Sequence, residues 1–246
     1  MVIHPENYVL EYPPFKVDET GRPVKVNVTV KMELLAISDI IEVGQTFTAQ
    51  FSLFISWLDF RLELFNMKED MNMNTLTADE RESIWVPKLV FRCLPCCNVA
   101  EGALQQYVYY FSNTKDKELT KNDDVSYSLA MRERDFEFSA MTSSDNIYMF
   151  KGSGNHLATS RVYNVEWICV YQLAWYPFDI QTCRMILEAD GNSEEFVDLN
   201  AGNIEYSGPL DLTQYFVKST SMIKTENGTL EIILVLGRRL FGLAFE

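Results

Sequence analysis

The stretch CVYQLAWYPFDIQTC, residues 169–183, decides the fold of this chain. Two cysteines, Cys169 and Cys183, bracket thirteen residues, and Tyr176-Pro177-Phe178-Asp179 stands near the far end. The bond between Tyr176 and Pro177 is a candidate for the cis form, because only bonds that precede proline adopt that form cheaply. This cysteine spacing around an aromatic-Pro-aromatic-Asp run is more informative about function than the rest of the chain.

The segment resembles the signature loop of the Cys-loop receptors, which are pentameric ligand-gated ion channels. That family has the same kind of run at the same spacing, usually with Phe where this chain has Tyr176. The resemblance, to a divergent and invertebrate-like type, implies a disulfide between Cys169 and Cys183. A disulfide that closes a loop of about fifteen residues stabilises the folded chain by roughly 3 kcal/mol. The alternative interpretation is an unrelated disulfide in a secreted β protein.

Length and composition favour one large core and exclude a nucleic-acid partner. The chain has 246 residues, 47% of them hydrophobic, and all-β sandwiches of this size are commonly single domains. With 21 basic and 35 acidic residues the formal charge is −14, and no cluster of Lys and Arg is present to contact phosphates. We therefore expect residues 1–246 to form one ligand-binding domain without a nucleic-acid partner.

Alternation of apolar and polar residues predicts long strands with one face on a core. The core-facing positions of three such runs are Val24, Val26, Val28, Val30, Met32 and Leu34, then Phe47, Ala49, Phe51, Leu53, Ile55 and Trp57, then Leu230, Ile232, Leu234 and Leu236. Helical periodicity is scarce, although Thr77-Ala78-Asp79-Glu80 can cap one short turn and residues 5–9 can form another. The prediction is an all-β, immunoglobulin-like sandwich of about ten strands.

The beginning of the chain departs from the family, whose extracellular domain usually starts with an amphipathic helix. Met1 to Phe15 contains Pro5, Pro13 and Pro14 and has little helical pattern. We expect that helix to be short or missing.

The region that couples binding to the pore is similar to the family's at both ends. Glu42, before Gly44-Gln45, resembles the acidic first hairpin turn, and Arg238-Arg239 resembles the basic stretch before the membrane. In the family, that acid and a basic residue interact beside the Cys loop. The resemblance therefore assigns coupling to Glu42, Tyr176, Pro177, Phe178, Asp179, Arg238 and Arg239.

The ligand cleft is similar to the family's in the order of its segments but not in its residues. Ser56-Trp57-Leu58-Asp59 resembles the strand whose tryptophan faces the ligand from the complementary subunit, so Trp57 is the candidate there. Ile84-Trp85-Val86-Pro87 resembles the Trp-x-Pro-Asp segment, with Lys88 replacing the acid. Counted from these motifs, the principal face falls on residues that are not aromatic: Arg92, Asp190 and Asn227.

The loss of these aromatic residues argues against acetylcholine of the usual kind. A cation over a ring face is worth about 2 kcal/mol when desolvated, and residues 217–232 contain no aromatic side chain and no adjacent cysteine pair. Arg92 and Asp190 could pair with each other, or could bind opposite ends of a zwitterion. The ligand is unknown: the site is either orphaned or specific for a polar ligand, and an ordinary interface salt bridge is the alternative.

The segment between Arg92 and His156 is longer than its counterpart in the family, which lines the pore-facing vestibule. Cys93-Leu94-Pro95-Cys96 has a spacing seen in zinc sites, yet no second cysteine pair or nearby histidine completes a ligand set, so no metal is expected. Three cysteines, Cys93, Cys96 and Cys97, cannot all pair within one subunit. A vestibule pocket with Tyr107, Tyr109 and Phe111 is a second candidate ligand site, and a loop anchored by apolar residues is the alternative.

The sequence contains no catalytic arrangement. Its two histidines are His4 and His156, and it lacks a Ser-His-Asp order, a P-loop, a Gly-rich dinucleotide turn and an HExxH run. We expect no enzymatic activity and no cofactor.

Two glycosylation sequons, at Asn27 and Asn227, suit a protein of the secretory pathway. The chain shows neither an N-terminal signal sequence nor a run of about eighteen apolar residues. We therefore expect either a mature soluble protein or the extracellular part of a longer one, on the outer side of the cell membrane. Residues 239–246 resemble the approach to a first membrane helix.

Three functions follow from these features. The first is the extracellular ligand-sensing domain of a channel, a homopentamer whose missing transmembrane part carries the pore. The second is a secreted soluble pentamer similar to the acetylcholine-binding proteins. The apolar tip of the Cys loop favours the channel, because a soluble protein has no membrane domain for that tip to contact. The third, a carbohydrate-binding sandwich, predicts a monomer.

Overall fold

The computed structural model describes residues 2–3, 8–65, 74–92, 108–111, 117–119, 147–190 and 195–240. Strands dominate these residues, which confirms the all-β prediction, and the helix among them is α1 (Ala78–Glu82). The strands are β1 (Val2–Ile3), β2 (Lys16–Val17), β3 (Pro23–Val24), β4 (Val26–Ile41), β5 (Thr46–Trp57), β6 (Glu63–Phe65), β7 (Leu89–Arg92), β8 (Val108–Phe111), β9 (Lys117–Leu119), β10 (Ile147–Lys151), β11 (Leu157–Ile168), β12 (Ile180–Ala189), β13 (Val197–Tyr206), β14 (Tyr215–Lys224) and β15 (Leu230–Arg238).

The predicted alternation is confirmed in β4, β5 and β15. Every second side chain of β5 and β15 is buried, including all their predicted positions, and in β4 the alternation holds from Val26 to Leu34. One position is wrong: Val24 is 50% exposed. It belongs to the two-stranded hairpin β2–β3, opposite Lys16, so the buried alternation begins at Val26.

The short helix has the cap that the sequence predicts. The Thr77 hydroxyl accepts from the Glu80 backbone N–H, and the Glu80 carboxylate accepts from the Thr77 N–H. This reciprocal capping box satisfies donors that the first turn of a helix leaves unpaired. Residues 8–15 form no helix, in agreement with the prediction for the start of the chain; residues 4–7 lie outside the described part.

The chain divides into two compact units, each described by itself. The first comprises residues 1–26, 56–86 and 108–159. It contains an antiparallel sheet in the order β1-β6-β10-β9 and the hairpin β2–β3.

A buried carboxylate organises the first unit. Asp59 accepts from Arg61 Nε at 2.9 Å and Nη2 at 2.8 Å, and from the Tyr8 hydroxyl at 3.0 Å. The Tyr8 oxygen in turn accepts from the Trp85 N–H at 2.7 Å. Burial and the adjacent Asp59 charge raise the pKa of Tyr8, so the phenol stays neutral as a donor. These bonds hold residue 8 against the corner that follows β5.

The second unit comprises residues 27–55, 87–107 and 160–246. Within it, one sheet contains the run β13-β4-β5-β11 and another has the order β14-β15-β12-β7. Aromatic rings fill the space between these sheets: Phe51 of β5 meets Phe91 of β7 edge-on at 5.6 Å between centroids. This two-layer packing is the sandwich that the sequence predicts.

Strand pairing brings four distant parts of the second unit to one end of it. Gly237 of β15 is opposite Ile180 of β12, and Arg238 is opposite Tyr215 of β14. Glu42 directly follows β4, and its carboxylate accepts a hydrogen bond from the Tyr215 hydroxyl at the same end. Glu42, Asp179 and Arg238, which the sequence predicted from separate segments, are thereby placed together.

Candidate functional site

The Cys loop is closed by the predicted disulfide. Cys169 and Cys183 are bonded, with both residues buried and their Cα atoms 5.0 Å apart. The Tyr176-Pro177 bond is cis, as the sequence suggested. The loop tip is open to solvent: Trp175 is 79% exposed and Phe178 is 72% exposed. A covalently closed loop therefore presents apolar rings outward from a buried base.

Gln181 holds the two arms of the loop together. Its side-chain oxygen accepts from the Gln172 N–H at 2.8 Å, and its nitrogen donates to the Gln172 carbonyl at 3.2 Å. The same nitrogen donates to Asp179 Oδ2 at 2.5 Å. One buried amide thus closes the loop and positions the carboxylate at its end.

The charged end of the second unit is called here the Arg238 cluster: Glu42, Asp179, Tyr215 and Arg238. Arg238 donates to Asp179 through Nε to Oδ1 at 2.5 Å and through Nη2 to Oδ2 at 2.9 Å. Nη2 also lies 2.8 Å from Glu42 Oε1 and donates to the Tyr215 hydroxyl at 2.5 Å. That hydroxyl donates to Glu42 Oε1 at 2.7 Å. The cluster links the turn after β4, the Cys loop and the ends of β14 and β15.

These contacts are largely shielded from water. The side chains of Asp179 and Arg238 are 1% and 7% exposed, and that of Glu42 is 23% exposed. Burial alone would raise the pKa of Asp179, but hydrogen bonds from Arg238 and Gln181 outweigh it and hold that pKa below its ordinary value. Hydrogen bonding to Asp179 raises the pKa of Arg238.

Two tyrosine rings enclose the guanidinium. The Arg238 Cζ atom lies 4.8 Å from the ring centre of Tyr176 and 4.6 Å from that of Tyr215. Such contacts add an attraction between the cation and the ring faces. Burial raises the pKa of Tyr215, and its hydrogen bond to Glu42 raises it further, so its hydroxyl keeps its proton.

Arg239 lies apart from this cluster. Its backbone N–H donates to the Gln214 carbonyl at 2.9 Å, and its Nη1 donates to the Leu212 carbonyl at 3.1 Å. Asp211 Oδ2 lies 3.7 Å from Nη2. The two adjacent arginines therefore have different roles: Arg238 joins the Cys loop, and Arg239 binds the segment before β14.

The face of the β14-β15-β12-β7 sheet carries exposed ion pairs. Arg92 Nη2 lies 2.9 Å from Glu188 Oε1, and Arg184 Nη1 lies 2.8 Å from Glu231 Oε1. The side chains of the two pairs have similar exposures, 59% and 19% for the first and 61% and 17% for the second. Exposed pairs of this kind contribute at most about 1 kcal/mol to stability.

Arg92 pairs with Glu188 and not with Asp190, the partner considered from sequence. Arg92 stands opposite Ile186 in the β7–β12 ladder, whereas Asp190 follows the ladder and donates its backbone N–H to the Lys88 carbonyl at 2.9 Å. Four register positions separate Arg92 from Asp190 along the sheet, a distance of ~13 Å. The nearer carboxylate on the same face takes the arginine.

Asn227 lies in the exposed turn between β14 and β15. Gly228 has φ +79°, a left-handed conformation that suits glycine, and its N–H donates to the Thr225 carbonyl at 3.0 Å. Leu230 is opposite Leu187 in this antiparallel pair of strands. Asn227 precedes Leu230 by three residues and Asp190 follows Leu187 by three residues, so both lie beyond the pair in the same direction. The topology therefore brings these two predicted residues to one end of the sheet.

A comparison with protein families supports the interpretation of this geometry. Residues 6–101 and 127–232 match the neurotransmitter-gated ion-channel ligand binding domain. The chain belongs to this family. The match covers most of the chain, and the disulfide-closed loop lies within it. No individual curated protein matches the chain significantly.

Membership of this Cys-loop receptor family establishes the coarse function. It is a family of extracellular ligand-binding domains, not of enzymes, and its members typically form pentamers. Among the described residues, no helix is long and apolar enough to span a membrane. In the same part of the chain, no group of three or more His, Cys, Asp or Glu side chains is arranged to hold a metal ion.

The remaining predicted residues fall into three groups: one is buried, two lie in a strand whose side chains are not described, and four lie outside the described part of the chain. Trp57 is completely buried and meets Trp85 edge-on at 6.2 Å, so its contact with a ligand stays a prediction that this packing does not favour. Tyr109 and Phe111 lie in β8, where side chains are not described. The residues that lie outside the described part are Cys93, Cys96, Cys97 and Tyr107.

Sequence reasoning missed two members of the receptor's charged site. Gln181 stands two residues after Asp179, and its proximity to the loop cysteine was the available signal. Tyr215 carries no sequence signal, because its place depends on being opposite Arg238 in the β14–β15 ladder. Strand register is not visible in one sequence.

Proposed function

We propose that this chain is the extracellular ligand-sensing domain of a pentameric ligand-gated ion channel and that it opens the pore through the Cys loop. The observation that carries the proposal is the Arg238 cluster. A single guanidinium bonds to the loop carboxylate of Asp179 and to Glu42 in the first hairpin turn. Displacement of any one of these elements must strain the contacts of the other two.

The exposed loop tip supports a membrane domain as the partner of this end. Val43 of the hairpin turn is 99% exposed, and in the Cys loop Trp175, Tyr176 and Phe178 are all exposed within four successive residues. Adjacent exposed apolar side chains commonly mark an interaction surface. The second candidate, a secreted soluble pentamer that sequesters a ligand, gives these rings no partner.

For the ligand, we propose a polar or zwitterionic molecule, or an orphaned site, at the interface between subunits. Arg92, Asp190 and Asn227 would face it from the principal subunit of a homopentamer. Trp57 of the complementary subunit would have to leave its packing against Trp85 to reach the ligand. The exposed Arg92–Glu188 pair supports a polar ligand, because a weak ion pair opens at little cost when a charged ligand group replaces one partner.

The assembly is tested by measuring the mass of the purified chain. The proposal expects particles of five subunits and fivefold rings in electron micrographs. A monomer under all conditions would contradict the pentamer and would favour the carbohydrate-binding alternative. Expression in a secretory host also tests the proposed glycosylation, since loss of Asn27 or Asn227 by substitution with Gln should remove one glycan mass each.

The ligand is tested by thermal shift with a panel of amino acids, amines and acetylcholine. A compound that binds the folded state raises the melting temperature by mass action. Arg92→Ala should abolish the shift, whereas Arg184→Ala, which removes an ion pair of equal exposure on the same sheet, should not. A micromolar response to acetylcholine or nicotine that survives Arg92→Ala would contradict the proposed site.

Gating is tested by joining residues 1–240 to the transmembrane domain of a characterised channel of the family. A ligand found in the screen should evoke current, and Asp179→Asn should abolish the current while the thermal shift of the isolated domain remains. A ligand that binds but never evokes current in the fusion would favour the secreted pentamer.

A further inference from the structure

Two carboxylates share one guanidinium at the Arg238 cluster, so this site, buried at Asp179 and Arg238 and partly buried at Glu42, carries more negative than positive charge. Glu42 and Asp179 both contact Arg238, while the Arg239 guanidinium is directed to Leu212 and Asp211. A buried carboxylate needs donors for its remaining lone pairs. Each of these two carboxylates accepts a hydrogen bond from a neutral side chain.

The neutral donors are different for the two carboxylates. Gln181 donates to Asp179 at 2.5 Å, and Tyr215 donates to Glu42 at 2.7 Å. Gln181 is part of the Cys loop, whereas Tyr215 is the first residue of β14. The carboxylate of the hairpin turn therefore depends on a strand that lies outside the loop.

Counting hydrogens assigns a second task to the Tyr215 oxygen. Arg238 Nη2 carries two hydrogens but has three acceptors within reach: Asp179 at 2.9 Å, Tyr215 at 2.5 Å and Glu42 at 2.8 Å. One hydrogen completes the bidentate bond to Asp179. The other is donated to the Tyr215 oxygen, while Glu42 Oε1 lies beside the same nitrogen as an ion pair and accepts its hydrogen bond from the phenol.

We propose that Tyr215 is a positioning residue that holds the Glu42 carboxylate on Arg238. The ring itself is fully buried, between the guanidinium and the Tyr171 ring at 6.0 Å, and phenylalanine would fill the same space. The hydroxyl is what makes the link. It is expected to be dispensable for the Arg238–Asp179 bond, which has its own two contacts. The hydrogen-bonding role stands alone, whereas its consequence for gating rests on the proposed function.

Side-chain nuclear magnetic resonance of the nitrogen-15-labelled chain tests this proposal directly. When Tyr215 is retained, Glu42→Gln should shift the Arg238 Nη signals. In the Tyr215→Phe background that response should be lost, while the Arg238 Nε signal stays in place because Asp179 still binds it. Tyr171→Phe is the control, since the Tyr171 hydroxyl contacts the Thr46 carbonyl at 3.4 Å; it should preserve the response. A full response to Glu42→Gln in the Tyr215→Phe background would overturn the proposal.

A second measurement keeps Tyr215 intact, in case Tyr215→Phe does not fold. The buried Tyr215 hydroxyl proton should exchange slowly with water, and Glu42→Gln should accelerate that exchange because the acceptor becomes an uncharged amide. Unchanged exchange would overturn the proposal.

The effect of the Tyr215 hydroxyl on gating can be tested separately from its hydrogen bond to Glu42. In the fused channel, Tyr215→Phe should lower the maximal current without changing the thermal shift by ligand, whereas Tyr171→Phe should change neither. Normal currents from Tyr215→Phe would show that gating does not use this link. Absence of current from the unaltered fusion would instead count against the proposed function and leave the resonance result standing.

Discussion

Asp179 and Arg238 form a two-point bond between the Cys loop and the last strand. Nε reaches Oδ1 at 2.5 Å and Nη2 reaches Oδ2 at 2.9 Å, while the Arg238 backbone N–H donates to the Asp179 carbonyl at 3.3 Å. Bidentate pairing fixes the orientation of the planar guanidinium as well as its distance. The same Nη2 can therefore present its second hydrogen toward Tyr215 and Glu42 in a defined direction.

Asp179→Asn should cost about 3 kcal/mol of unfolding free energy at neutral pH, because it leaves a buried cation without its main partner. The pKa of Asp179 is lowered in the folded chain, so its stabilisation is present above the unfolded pKa of about 3.9 and is lost as the pH falls through the folded value. The stability difference between the two proteins should therefore shrink in acid. Urea unfolding between neutral and acidic pH measures it.

Asp198→Asn is the control for that experiment. Asp198 pairs with Lys224 at 2.7 Å, and both side chains are 35% exposed, so its loss should cost less than about 1 kcal/mol. Equal costs for the two substitutions, or a gap that does not narrow in acid, would contradict the assigned role of Asp179.

Replacing both loop cysteines with serine should lower the unfolding free energy by about 3 kcal/mol, since the unfolded chain gains the freedom of a loop of roughly fifteen residues. Chemical unfolding of the Cys169→Ser, Cys183→Ser double variant checks this. Reductant should destabilise the unaltered chain by a similar amount and should have little effect on the variant. Stability that is insensitive to both changes would rule out a structural role for the disulfide.

Gly152→Ala should destabilise the chain by about 2–3 kcal/mol, because backbone must move to admit the methyl group. A Cβ atom there would lie 1.9 Å from the Asp59 carbonyl oxygen and 3.1 Å from that of Leu62. At Gly154 the nearest atom is the Lys151 oxygen at 3.8 Å, so Gly154→Ala should change the free energy by less than about 0.5 kcal/mol. Thermal unfolding of the pair measures the contrast; similar melting temperatures would be inconsistent with this packing.

Replacement by alanine should lower the unfolding free energy strongly at one tryptophan and very little at another. Trp57→Ala removes a fully buried ring and should cost about 3–5 kcal/mol, whereas Trp175→Ala alters an exposed ring and should cost less than about 0.5 kcal/mol. Trp175→Ala should also weaken retention on a hydrophobic column. Melting curves and chromatography give both results, and a stable Trp57→Ala variant would mean that this ring is not part of the core.

Local sequence patterns predicted much of the fold because their physical causes are local. Alternation in β5 and β15 follows from the two-residue repeat of a strand, and the Thr77–Glu80 cap follows from donors within one helical turn. The same pattern failed at Val24, which belongs to the hairpin that precedes the long strand β4. Periodicity specifies which side chains share a face, but not where a strand begins.

The partners of charged side chains were beyond sequence reasoning. Arg92 was considered with Asp190, but strand register puts Glu188 nearer on the same face. Arg238 and Arg239 were treated alike, but Arg238 ends β15 and bonds Asp179, whereas Arg239 follows the strand and bonds the segment before β14.

By itself, the sequence determined the strand-forming segments and the motif that resembles the family's signature loop, since both depend on spacing along the chain; the pairing of Cys169 with Cys183 was implied by that resemblance. Tertiary structure alone decided that Tyr215 and Glu42 meet Arg238 and that Trp57 is enclosed. Those contacts join residues separated by long stretches of chain, and they arise from strand order and register. Both are set by how the whole sheet packs.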